Sequence, residues 1–175
     1  MIIRTLVTEH LIEIEYGGVR LLVRKAEIFV FYATFVTNEY YRLKTRPGDT
    51  VLDFGANIGD FTVKAALMLN GKGRIIAIEP SHENVDILKA NLELNNIKNA
   101  EVYETAISDS DGYVNLEGGG TVSSHLKPES TGREERVKAY SITTFIEEAG
   151  LSSRDDLVVK MDIEGSERHV IKDIS

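Results

Sequence analysis

Val51-Leu52-Asp53-Phe54-Gly55-Ala56-Asn57-Ile58-Gly59 places an acid near the end of an apolar run and two glycines in the turn that follows. Twenty residues past Gly59, a second apolar run, Ile75 to Ile78, ends in Glu79 and Pro80. The order is strand, glycine turn, helix, strand, acid. In open α/β sheets that arrangement holds a nucleotide-like ligand, with the second acid placed to bond ribose hydroxyls. Glycine lets the backbone turn tightly and approach a ligand closely. The plainer alternative is an ordinary strand-to-helix turn, in which case Glu79 is a coincidence.

The chemistry of the turn discriminates among ligands. A dinucleotide fingerprint wants glycine at its first, third and sixth positions. Here those positions hold Gly55, Asn57 and Asp60. The acid-x-Gly-x-Gly-x-Gly pattern of S-adenosylmethionine-dependent methyltransferases maps onto Asp53, Gly55, Asn57 and Gly59, with Asn57 the one departure. Asn is the residue other than glycine that best tolerates positive φ, so it can keep the backbone shape. A carboxylate at Asp53 repels a pyrophosphate but favours the ammonium and sulfonium of S-adenosylmethionine.

A second group of acids follows the apolar run Leu157 to Met161, namely Asp162, Glu164 and Glu167. At the C-terminal end of a core strand they face the same crevice. Asp162 can hold an ammonium, orient an acceptor hydroxyl or take its proton, and Glu164 is the second catalytic candidate. Acids at a helix start also complement the dipole, an equal alternative for Glu164 and Glu167. The histidines are His10, His82, His125 and His169, and none forms a metal pair at helical spacing. No metal is expected; His125 is the one histidine worth testing as a base.

The elements that position these groups can be read along the chain. Leu11–Tyr16 and Val19–Arg24 flank Gly17-Gly18 and predict a hairpin that pairs Tyr16 with Val19, Ile14 with Leu21 and Ile12 with Val23. The aromatic stretch Ile28 to Leu43 predicts a helix packed into the core, with Asn38 to Tyr41 able to close over the site. From Thr50 strand and helix alternate, as in a parallel sheet with helices on both faces. The strands are expected at Thr50–Phe54, Arg74–Ile78, Glu101–Ile107 and Leu157–Met161. Helices are expected at Gly59–Leu69, after Ser81 as N-cap, and at Ile142–Ala149. Ala106 and Ile107, closing the third strand, are expected to line the cofactor crevice. The segment from the triple glycine Gly118-Gly119-Gly120 to Arg136 reads as a polar loop. It lacks the Gly-Lys-Ser/Thr of a phosphate loop.

These motifs resemble the FkbM family of S-adenosylmethionine-dependent methyltransferases, whose members carry V-x-D-x-G-A-N-x-G, then E-P, then K-x-D-x-E-G-x-E. This chain has Val51 to Gly59, Glu79-Pro80 and Lys160 to Glu167 in that order. Within the family, Asn at the position of Asn57 is usual. The resemblance spans roughly residues 35 to 175 and implies a Rossmann-like methyltransferase fold. It further implies S-adenosylmethionine as cofactor and methyl transfer, typically to an oxygen of a small molecule or sugar. A nicotinamide-dependent oxidoreductase and a non-catalytic binding module are the competing readings. The division expected is residues 1–48 as hairpin and aromatic lead-in and 49–175 as the α/β domain. Seven strands in the order 3-2-1-4-5-7-6 are implied, and strands five to seven have no sequence here. A longer natural protein, or a second copy covering the fourth-strand edge, is therefore expected.

Composition agrees with that class. The chain has 175 residues, of which 42% are hydrophobic and 27% charged, enough for a single core. It has no cysteine and a net charge of −8. Thiolate metal sites and cysteine nucleophiles are thereby excluded. The negative charge and scattered basic residues weigh against a nucleic-acid partner. With no apolar run of membrane-spanning length and no leader pattern, a cytoplasmic protein without membrane contact is expected.

Overall fold

The computed structural model describes residues 2–5, 10–116, 135–152 and 155–162. The triple-glycine segment, His125, Glu164, Glu167 and His169 lie outside the described residues.

The strands of the central sheet are β4 (Thr50–Phe54), β5 (Arg74–Ile78), β6 (Ala100–Tyr103) and β10 (Leu157–Met161), parallel and in the order β10-β4-β5-β6. β4 is central, and all five of its residues are buried. This explains its near-continuous apolar sequence, because a strand covered on both faces needs no alternation. Leu52, Phe54, Ile76 and Ile78 face α4 (Ile142–Glu148) through Ile142 and Phe145. Val51 and Ile75 face α2 (Asp60–Leu69) through Phe61, Ala65 and Leu69. Helices therefore cover both faces, as the alternating pattern predicts. Among the described residues β10 is an edge strand, and it leaves Leu157 and Val159 partly exposed.

The hairpin has the predicted register. β2 (Leu11–Tyr16) and β3 (Val19–Arg24) pair Tyr16 with Val19, Ile14 with Leu21 and Ile12 with Val23. A further strand, β1 (Ile2–Thr5), adds to β2 and was not foreseen. The hairpin packs on α3 (His82–Leu94), where Leu88 and Leu92 share a core with Ile12, Ile14, Leu21 and Val23. Asn91 and Asn95 complete the joint. Asn91 accepts from the Leu22 N–H at 2.6 Å and donates to the Leu22 carbonyl at 3.0 Å, and Asn95 bonds both backbone groups of Arg20. An edge strand's unpaired peptide groups are thus satisfied by amide side chains of a helix.

One expectation needs correction, and one is met with a different bonding pattern. Residues 101–107 are not one strand. β6 ends at Tyr103, and β7 (Ala106–Ser108) departs to pair with β9 (Glu135–Ser141), which also pairs with β8 (Gly112–Leu116). Thr105 makes the break by donating to the Lys138 carbonyl at 2.7 Å, and Ala106 joins a small separate core with Leu116, Val137 and Ala139. Ser81 occupies the N-cap position of α3, but its side chain makes no capping bond. Glu79 organises that end instead, accepting from the Ser81 N–H and the Asn84 amide at 3.0 Å each.

The aromatic lead-in divides by function. α1 (Ile28–Phe31) continues as a π-helical turn over Tyr32–Thr37 and ends at Asn38 in the left-handed region, φ 55. Phe31 is buried and stacks on Phe35. Tyr40 packs on Phe61 with ring centres 4.6 Å apart. Phe29, Tyr32 and Tyr41 stay more than half exposed. Among the described residues no helix is long and apolar enough to cross a membrane.

Candidate functional site

The turn after β4 is held by two strands at once. Gly55 and Ala56 both donate to the Ile78 carbonyl of β5, at 3.0 and 2.9 Å, and the Asn57 N–H donates to Glu79 Oε2 at 2.9 Å. Gly55 and Asn57 adopt φ 74 and 49, so Asn57 takes the left-handed conformation that the motif demands. Gly59 is required for a different reason. A Cβ there, at φ 82, would lie 2.8 Å from Leu88 Cγ, so this glycine lets α2 and α3 approach.

Beneath the turn lies a buried ion pair. Lys160 donates to the Gly55 carbonyl at 2.7 Å and sits 3.1 Å from Asp53 Oδ1. The other Asp53 oxygen accepts from the Thr62 hydroxyl at 2.6 Å. Burial by itself lowers the Lys160 ammonium, but Asp53, Asp60 and Asp162 outweigh it and hold its pKa above the ordinary value. Lys160 is therefore a permanent cation, and the charge of Asp53 is already balanced within the protein.

A cavity of about 260 Å³ opens over the turn at the C-terminal ends of β4, β5 and β10. Its apolar wall includes Phe29, Val30, Ala33, Ile107 and Leu116. Among the described residues, four carboxylates line it, from Glu39, Asp60, Glu79 and Asp162, against one cation, Lys160. They do not converge as a metal site, since no three described His or acid side chains stand close enough to hold one ion. Burial pushes Asp60 up to about 6, opposed by a hydrogen bond from Thr34 and by Lys160. Burial also raises Glu79, against its bonds from Asn84, Ser81 and Asn57. Two buried polar atoms in this wall have no partner among the described residues, Asn57 Oδ1 and Ser81 Oγ. Orphaned polar atoms carry a desolvation cost that a polar ligand removes.

Of the residues singled out from sequence, Gly55, Asn57, Glu79, Pro80, Ala106, Ile107 and Asp162 meet on this cavity. Asp53, Ala56 and Gly59 are buried outside its lining and shape the turn from behind. Glu39 and Tyr40, from the stretch expected to close over the site, line the cavity, and so do Asp60, Lys160, Ser81 and Asn84, which the motifs did not mark as site residues. Lys160 stood inside the third motif, so a lysine in an otherwise apolar strand was the available signal. Nothing local marked Asp60 beyond its place after Gly59. His82 is exposed and lies 3.0 Å from Glu104. A second hollow of about 390 Å³, at the opposite end of the sheet, is lined by Asn70, Asn95, Asn96 and Asn99 and contains no acid.

The model of the methyltransferase FkbM domain matches residues 53–175 of this sequence. The chain belongs to the FkbM methyltransferase family. The match begins at the Asp53 of the ion pair and takes in both cavity-forming motifs. Among solved structures, an FkbM methyltransferase from Methylobacillus flagellatus is similar over 81% of this chain and 32% of its own, at 20% identity and a TM-score of 0.54. That likeness supports the FkbM fold. The TYW2 protein of M. jannaschii in complex with AdoMet is similar over 56% of this chain and 44% of its own, at 20% identity and a TM-score of 0.46. A probable cobalt-precorrin-6B C(15)-methyltransferase (decarboxylating) of Saccharolobus solfataricus is 35% identical over 60 residues, which is 32% of this chain and 30% of that protein. This FkbM chain thus spans about a third of the length of the FkbM structure and of the cobalt-precorrin enzyme, 32% and 30%.

Proposed function

We propose that this chain binds S-adenosylmethionine in the cavity over the Gly55–Gly59 turn and belongs to an enzyme that methylates a hydroxyl of a small molecule or sugar. The observation that carries this reading is the charge of the cavity, four carboxylates against one buried lysine among the described residues. Such a site attracts a cationic ligand and repels a pyrophosphate, which disfavours a nicotinamide dinucleotide.

The residues fit the cofactor. Among the described residues Glu79 Oε2 accepts one protein donor, the Asn57 N–H, and a carboxylate oxygen has a further lone pair for a ribose hydroxyl. Asn57 Oδ1 and Ser81 Oγ offer partners to a polar ligand. Ala106 and Ile107 give the apolar edge that a purine ring needs. When bound, S-adenosylmethionine supplies a methyl group on a sulfonium leaving group. What this chain contributes is orientation, because holding two reactants in line accounts for a large part of such a rate. Asp162 stands exposed at the cavity margin, where its carboxylate can orient an acceptor hydroxyl or take its proton.

Calorimetric titration of the chain with S-adenosylhomocysteine and with NAD tests the cofactor assignment. Saturable binding of the first and none of the second is expected. Binding of NAD in its place would overturn the reading.

A further inference from the structure

The strand order gives the cavity a direction. Glu79 ends β5, and beyond it Thr105 to Ile107 lie toward the β6 side. On the other side of the Gly55–Asn57 turn, toward β4 and β10, stand Asp60, Glu39, Tyr40 and Lys160. A nucleoside whose ribose is held at the end of the second strand directs its base one way along the strand ends and its 5′ substituent the other. The 5′ substituent therefore runs across the glycine turn toward Asp60.

Asp60 is built into that end of the cavity with care. It occupies the first position of α2 and is 6% exposed. The Thr34 hydroxyl, from the π-helical turn, donates to Asp60 Oδ2, and Thr34 Oγ also lies 3.4 Å from Glu39 Oε1. Lys64, one turn further along α2, donates to the Thr34 carbonyl at 2.6 Å and so braces the same turn. Among the described residues the charged and titratable groups acting around Asp60 are Lys160, Asp53, Tyr40 and Lys64, with Glu39 joined through Thr34. Asp53 is neutralised by Lys160, so the acidic character of this end rests on Asp60 and Glu39 in the cavity wall and on the exposed Asp162 at its β10 margin, and of these Asp60 is the buried one. The buried Ser81 Oγ at the Glu79 end, without a partner among the described residues, marks the same cavity as made for a ligand.

We infer that Asp60, positioned by Thr34, is the counter-ion for the aminoacyl ammonium of the cofactor. This rests on the cofactor reading above and assigns one end of it. An acid with a pKa of about 6 then makes binding proton-linked, because at pH 5 only about a tenth of such a group is ionised. The Thr34 hydroxyl lowers the Asp60 pKa, so losing it moves that dependence to higher pH.

The test is calorimetric titration of the 175-residue chain with S-adenosylhomocysteine and with methylthioadenosine, which has the same nucleoside but no aminoacyl tail. From pH 7 to pH 5 wild-type affinity for S-adenosylhomocysteine should fall about tenfold more than that for methylthioadenosine, so that any change from Glu79 at the shared ribose cancels in the ratio. Asp60→Asn should lower S-adenosylhomocysteine affinity about tenfold at pH 7, remove the excess pH dependence over methylthioadenosine and leave methylthioadenosine unchanged at pH 7. Thr34→Val should shift the midpoint of the pH dependence upward. An Asp60→Asn protein that loses both ligands equally, or keeps S-adenosylhomocysteine with its wild-type pH profile, would overturn the inference. Wild-type protein that binds neither nucleoside would overturn the cofactor reading and this assignment with it.

Discussion

Lys160 donates to the carbonyl oxygen of Gly55 at 2.7 Å across 105 positions of sequence. The bond fixes the glycine turn from the β10 side, while Glu79 holds the Asn57 N–H from the β5 side. A turn that must present its backbone to a ligand is thereby preorganised by two buried charged groups of opposite sign. Each has partners that make its burial tolerable, Asp53 for Lys160, and Asn57, Ser81 and Asn84 for Glu79.

Lys160→Met should therefore cost far more than a surface charge change. It leaves Asp53 buried without its cation and frees the Gly55 carbonyl, for a loss of about 3–5 kcal/mol in urea unfolding. Adding Asp53→Asn should recover part of that loss. A single variant within about 1 kcal/mol of wild type would mean that the pair contributes little.

Glu79→Ala should weaken S-adenosylhomocysteine binding by about 1.5–3 kcal/mol, the scale of a hydrogen bond to a charged group. Since Glu79 also accepts from three protein donors, the variant should lose stability as well. Titration and unfolding on the same preparation check both; a destabilised variant with full affinity would remove Glu79 from the ligand contacts.

Two glycines of similar φ separate backbone strain from crowding. Gly18 has φ 84 with open space around it, whereas at Gly59, φ 82, an added methyl would meet Leu88 Cγ at 2.8 Å. Gly18→Ala should cost about 1–2 kcal/mol from the left-handed backbone alone. Gly59→Ala should cost about 1–3 kcal/mol more, and Leu88→Ala should absorb most of that excess. Equal costs at the two positions in denaturant melts would show that α3 yields to the extra methyl.

Asn91→Ala should detach the hairpin from α3. Asn91 is fully buried and bonds both backbone groups of Leu22 and the Ile58 carbonyl, at 2.6, 3.0 and 2.8 Å. Stranding those groups predicts a loss of about 2–4 kcal/mol, at roughly 1 kcal/mol or more per stranded group. Faster amide exchange at Leu22 is the local readout, and unchanged exchange would argue against the joint.

Stability should carry the signature of Asp60. Its folded-state pKa, about 6, lies above the ordinary 3.8, so the folded protein holds this proton more tightly. The resulting stability is fully present below about pH 4 and is lost as pH rises through 6. Asp60→Asn abolishes the titration. From pH 4 to 7 its stability should rise relative to wild type by on the order of 2–3 kcal/mol. A constant difference across that range, followed by urea unfolding, would contradict the raised pKa.

What the sequence determined by itself is local or periodic. The hairpin register follows from two-residue alternation on either side of Gly17-Gly18, and β4, α2 and β5 follow from apolar runs punctuated by Gly59 and Asn70-Gly71. Asn57 in the left-handed region was legible for the same reason, because conformational tolerance belongs to the residue type. The tertiary structure decided what depends on distance. Residues 101–107 read as one strand, yet β9, about thirty residues on, draws Ala106 away to pair with Ala139. Asp53 read as a ligand-facing acid, yet Lys160 of β10 sits against it and neutralises it. Asp60 read as a failed glycine, yet Thr34 of the lead-in and the β10 lysine make it part of the cavity. Periodicity reports which face of an element is buried, but the meaning of a buried charge is set by the partner that folding brings beside it.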